Sequence, residues 1–127
     1  LNSSHSQMSY AVFCLKKKPG HCGECHTPRN FLGGTEDGLW LSGAVAVEGK
    51  GHVPNITPGE GGIGGWSEKD IAYYLESGFT PDFDSVGGAM VDVQENIAHL
   101  TAADREAIAA YLKIVPPHPN GYPAAKK

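Results

Sequence analysis

Two cysteines three positions apart, followed at once by a histidine, constrain this chain more than anything else in its sequence: Cys22-Gly23-Glu24-Cys25-His26. On one helical turn the thiols lie to the same side, and the next residue sets an imidazole beside them. That arrangement can add two sulfurs to the vinyl groups along one edge of a haem while offering a nitrogen donor to its iron. The pattern predicts one covalent haem c, attached through Cys22 and Cys25 and ligated by His26.

Other cysteine chemistries demand surroundings that are missing. A thioredoxin-like pair needs a preceding strand in a βαβ unit, but the motif follows Lys16-Lys17-Lys18-Pro19-Gly20 and precedes a Pro- and Gly-rich stretch. A structural zinc site wants a second paired cluster, and only isolated Cys14, His52, His99 and His118 are at hand. A disulfide between Cys22 and Cys25 closes too small a loop to stabilise much. Cys14 reads either as a small buried apolar residue or as an exposed thiol able to cross-link chains in an oxidising compartment.

The composition leaves room for such a cofactor. A chain of 127 residues makes one domain, yet only 40% is apolar, and 17 glycines and 9 prolines interrupt regular structure. A bare polypeptide of that kind is marginal, and a large flat apolar group at its centre repairs the deficit. The net charge of −4 is split, with +3 in residues 1–35 and −7 in the rest. An acidic balance argues against nucleic-acid binding. The Lys16–Lys18 run reads as a solvated loop or as a basic collar that guides an acidic redox partner. No run of eighteen apolar residues exists, so no transmembrane segment is expected, and polar Leu1–Ser9 shows no signal-peptide pattern.

Along the chain, residues 1–9 and 118–127 read as tails flanking a domain over 10–117. Tyr10–Leu15 suggests a first short helix. Residues 33–65 hold eleven glycines and two prolines without helical period. A loop region that long needs a task, and wrapping a haem edge is one. Ser67 with Asp70 predicts a capped helix through Ile71, Tyr74 and Leu75, ended by Gly78. A shorter helix is expected after Met90, burying Val91, Val93 and Ile97. Thr101 with Asp104 caps another, which buries Ile108, Leu112 and Val115 and stops at Pro116-Pro117. No strand alternation is sustained, so the expectation is a small, loop-rich, all-α fold.

The second axial ligand separates an electron carrier from a reactive haem. Of the two methionines, Met8 lies in the polar N-terminal segment, while Met90 follows flexible Gly87-Gly88-Ala89 and comes 64 positions after His26. That is chain enough to reach the opposite haem face, so Met90 is the expected partner of His26. His52 and His99 are the rivals, and an open position is the other alternative. A neutral thioether favours ferrous iron more than a second imidazole does, and two protein ligands leave no place for oxygen or peroxide.

With these residues in place, the chain resembles the class I cytochrome c domains in the cytochrome subunits of bacterial membrane-bound alcohol, gluconate and aldehyde dehydrogenases. The resemblance runs from about Gly20 to Pro117. It is carried by G-H-C-G-E-C-H-T-P-R-N at Gly20–Asn30, P-N-I-T-P at Pro54–Pro58, G-I-G-G-W-S at Gly62–Ser67, the helix Asp70–Gly78, and the Met90 region with A-I-A-A-Y-L-K. It implies a class I fold, His26 and Met90 as axial ligands, and Asn55, Ile56 and Trp66 along the haem edge. The Trp66 indole could donate to a propionate or simply pack in the core, and Arg29 could neutralise a propionate or be a surface charge. Such subunits carry three haem domains, whereas this sequence holds one C-x-x-C-H.

The implied function is that of a non-catalytic, single-haem carrier. It passes one electron at a time from a dehydrogenase to a cytochrome or oxidase acceptor, in the periplasm, soluble or peripherally associated. The alternative is a haem enzyme or gas sensor whose sixth position is labile or vacant.

Overall fold

Apolar residues at helical spacing occur mainly beyond Trp66, and the long helices form there. The structure is a computed structural model that describes residues 22–46 and 51–122. Its helices are α1 (Cys22–His26), α2 (Glu68–Ser77), α3 (Met90–Ala98) and α4 (Ala102–Ile114), with strands β1 (Ala44–Val45) and β2 (His52–Val53). They divide into a helical unit over residues 65–114 and a loop unit formed by residues 22–64 and 115–122. Met8, Cys14, the expected helix at Tyr10–Leu15 and the Lys16–Lys18 run lie outside the described residues.

In the helical unit both ends of α2 and the start of α4 have local causes. Ser67 and Asp70 cap α2 reciprocally: the Asp70 N–H donates to Ser67 Oγ at 3.1 Å and the Ser67 N–H donates to Asp70 Oδ2 at 2.9 Å. Gly78 ends the helix in the left-handed region at φ 80, its N–H bonded to the Tyr74 carbonyl. Thr101 Oγ1 accepts from the Asp104 N–H at 3.2 Å and opens α4. The buried residues Ile71 and Leu75 of α2 recur at helical spacing, as do Ile108 and Leu112 of α4. α2 packs against both α3 and α4.

α3 departs from the expectation. It begins at Met90 itself, after Ala89 and without a side-chain cap, and it buries Gln94 and Ile97 while Val91 and Val93 are only half-buried. A polar residue can take the inward position because Gln94 Nε2 donates to the Leu75 carbonyl at 3.0 Å. The end of α2 thus gains a partner for a carbonyl that its own helix leaves unbonded.

The loop unit corrects the all-α expectation. β1 and β2 pair antiparallel, Ala44 with Val53 and Val45 with His52, inside the stretch expected to be loop throughout. Two-residue strands are too short to leave an alternating pattern in the sequence. Gly43 leads into β1 at φ 91, and a methyl there would stand 2.8 Å from both the Asn55 nitrogen and the Val53 carbonyl oxygen, so no side chain fits. Residues 118–122, read as the start of a tail, are tied in: the His118 N–H donates to Thr57 Oγ1 at 3.1 Å and the Gly121 N–H to the Ser42 carbonyl at 2.9 Å.

Ser67→Ala removes half of the reciprocal cap. It is expected to cost about 1 kcal/mol, read as a lower urea midpoint with an unchanged slope; an unshifted midpoint would show that the cap contributes nothing.

Candidate haem site

The attachment motif forms α1, a single turn that a sequence of five residues sustains only with outside support. Part of that support is Trp40. A methyl added at Gly23 would overlap its six-membered ring, so the first residue between the cysteines must be the smallest one. Cys22 is half-buried, Cys25 is exposed, and neither is in a disulfide.

His26 is 8% exposed. Its Nδ1 lies 2.7 Å from the Pro54 carbonyl oxygen. That oxygen can only accept, so Nδ1 carries the proton and Nε2 keeps its lone pair. Burial holds the imidazole pKa below its ordinary value of 6.5 and outweighs the opposing pull of the Pro54 hydrogen bond. The ring is therefore neutral, in the tautomer with an Nε2 donor, which is the state a metal requires.

The Pro54 carbonyl is held by a web of polar contacts. Ile56 N–H donates to the Leu41 carbonyl at 3.0 Å, and Leu41 N–H donates to Thr27 Oγ1 at 3.0 Å. Leu41, fully buried, adopts φ 63, a conformation costly for a branched side chain. Gly43 N–H closes the circuit on the His26 carbonyl at 2.6 Å.

Asn55 is 2% exposed. Its Oδ1 accepts from the Thr57 N–H at 2.9 Å and the Thr57 hydroxyl at 2.7 Å, while Nδ2 donates to the His118 carbonyl at 2.9 Å and Asn120 Oδ1 at 3.1 Å. Its side chain is committed to shaping the loop. Ile56 is half-buried beside it.

Arg29 is exposed and braces the turn beyond the motif, donating to the Gly33 carbonyl at 2.8 Å and the Glu24 carbonyl at 3.4 Å. Cys22, Cys25, His26, Arg29, Asn55 and Ile56 thus share the loop unit.

Met90 and Trp66 belong to the helical unit. Met90 is half-buried as the first residue of α3. The Trp66 ring meets Tyr74 edge-on at 5.6 Å, and its carbonyl accepts from Lys113 Nζ at 2.7 Å. Of the rival ligands, His52 is exposed and stacked on Tyr122 at 4.1 Å, and His99 is exposed at the end of α3. Among the described residues, no three His, Cys, Asp or Glu side chains are grouped to hold a metal ion.

The donor set fits haem c: two cysteine side chains on one turn, and a neutral imidazole with one nitrogen bonded and the other available. Sequence reasoning missed the Pro54 carbonyl, the Thr27 hydroxyl and Trp40. The first is a backbone atom whose role no residue type announces. The other two act through contacts with residues more than ten positions away.

No protein-family model matches the chain. Curated relatives exist. One, named diheme cytochrome c-type, from Cereibacter sphaeroides, is 59% identical over 97 residues, 76% of this chain and 32% of its own length. The fructose dehydrogenase cytochrome subunit of Gluconobacter japonicus is 41% identical over 97 residues, 76% of this chain and 20% of its own. The cytochrome c subunit of the quinone alcohol dehydrogenase of Gluconobacter oxydans is 39% identical over 115 residues, 84% of this chain and 24% of its own. The chain spans about a third or less of the length of these relatives.

One outcome follows from this geometry. Gly23→Ala is expected to lower the yield of haem-bearing protein and, in what folds, the unfolding temperature; equal yield and temperature would exclude a steric role for Trp40.

Proposed function

We propose that this chain, a homologue of the cytochrome c subunits of fructose, alcohol and gluconate dehydrogenases, is a single-haem electron-transfer domain of class I cytochrome c type. The observation that carries the reading is the state of His26: buried, neutral, and bonded at Nδ1 to the Pro54 carbonyl. The single C-x-x-C-H of the chain supports a count of one haem.

Cys22 and Cys25 would hold the haem as thioethers, His26 Nε2 would ligate one face of its iron, and the Met90 thioether the other. When bound, the haem supplies a one-electron couple between ferric and ferrous iron. The chain's own residues keep the ligands in place during that change. The Pro54 carbonyl restrains rotation of the imidazole, and Met90, the first residue of α3, would close the sixth position to small molecules. Trp66 and Arg29 are the donors proposed for the propionates. The indole N–H can donate one bond, and Arg29 retains donors beyond those spent on Gly33 and Glu24.

The partners proposed are a dehydrogenase as donor and a cytochrome or oxidase as acceptor, in the bacterial periplasm. No helix among the described residues is long and apolar enough to cross a membrane.

Met90→Ala is expected to abolish the weak red charge-transfer band of the sulfur–ferric bond, lower the reduction potential and let carbon monoxide bind the reduced form. Met8→Ala should change none of these. A native protein that binds carbon monoxide readily and lacks the band would favour the enzyme or sensor alternative.

A further inference from the structure

α3 is secured by its middle and its end, and its start has no cap. Ala89 offers no side-chain cap, and the preceding Gly87-Gly88 leaves the entering chain flexible. One turn after Met90, Gln94 is 6% exposed and donates Nε2 to the Leu75 carbonyl of α2 at 3.0 Å. A methyl on Gly78 would stand 3.1 Å from Gln94 Oε1, so the amide fills its slot closely. Ile97, 1% exposed, seats the next turn in the core. At the far end Arg105 donates to the carbonyls of Ala98 and Leu100.

We infer that Gln94 is the positioning residue for the Met90 thioether. Residues four apart on a helix stack on one face. The Gln94 amide bond therefore fixes both the rotation of α3 and its height along the axis where Met90 begins. Apolar packing alone resists separation of helices but tolerates small slides and rotations; a buried directional hydrogen bond does not, because slipping leaves the Leu75 carbonyl unsatisfied. The inference rests on the reading of Met90 as axial ligand and adds what sets its position.

The test uses the haem-loaded protein with Gln94→Leu, Gln94→Glu, Ile97→Val and Met90→Ala. Gln94→Leu keeps bulk but cannot donate. It should weaken the red sulfur–ferric band and raise the affinity for added imidazole about tenfold, the effect of one lost buried hydrogen bond. Ile97→Val, which removes a methylene without touching the amide bond, should lower the unfolding midpoint and leave the band and imidazole affinity unchanged. Gln94→Glu should behave like the Leu variant when its carboxylate is ionised and recover the band as pH is lowered, since the protonated acid can donate to the Leu75 carbonyl again. This pH-dependent recovery reads out even if Gln94→Leu folds poorly.

If Met90→Ala abolishes the band but Gln94→Leu keeps it with native imidazole affinity, the positioning role is refuted and the ligand reading stands. If Met90→Ala leaves the band intact, the ligand reading itself falls, and this inference falls with it.

Discussion

One hydrogen bond organises the loop unit: the imidazole Nδ1–H of His26 to the carbonyl of Pro54, at 2.7 Å across 28 positions of sequence. At the end of a one-turn helix, the imidazole would otherwise turn freely about its side-chain torsions. The bond fixes the ring and selects its tautomer at once. It works only if the accepting carbonyl is itself immobile, and much of the loop unit serves that end. Leu41 bridges Thr27 to Ile56, Gly43 returns to the His26 carbonyl, and the Asn55 side chain binds Thr57, His118 and Asn120.

The two units solve the ordering problem by different physics. In the helical unit, burial of Ile71, Leu75, Ile97, Ile108 and Leu112 supplies the stabilisation, and caps decide where α2 begins and ends and where α4 begins. The loop unit has little regular structure with which to satisfy its backbone. There, side chains replace ladder partners. A buried asparagine left unpaired costs about 1–3 kcal/mol. Asn55, with both amide atoms bonded, instead joins two separate stretches of chain, residues 55–57 and 118–120.

That contrast explains what could be read from the sequence. Helices α2 and α4 were legible because Ser67 with Asp70, Gly78, and Thr101 with Asp104 are local signals beside a helical period. The cysteines and His26 stood out because their chemistry fixes their spacing. The strand pair was hidden by its brevity. The ties of His118 and Gly121 were hidden because Pro116-Pro117 ends the helix and polar residues follow, a pattern that ordinarily marks a departing terminus. Gln94 was hidden for another reason. Periodicity ranks positions by apolarity, so Val91 and Val93 outranked a glutamine whose burial depends on a carbonyl 19 positions away.

For a proposed one-electron carrier, the chemistry of these supports matters as much as their rigidity. A carboxylate in place of the Pro54 carbonyl would draw the Nδ1 proton strongly and make Nε2 a much stronger donor, favouring ferric iron. A neutral carbonyl orients the ring with a weaker push. Met90, a neutral thioether, acts in the same direction. Both proposed axial ligands are thus neutral, and the bonds named for their support are to uncharged groups: a backbone carbonyl for His26, and a side-chain amide for the helix that begins at Met90. A ligand set anchored in this way would change little when the charge on a bound iron changes. Small structural change on oxidation is the physical requirement for fast exchange of a single electron.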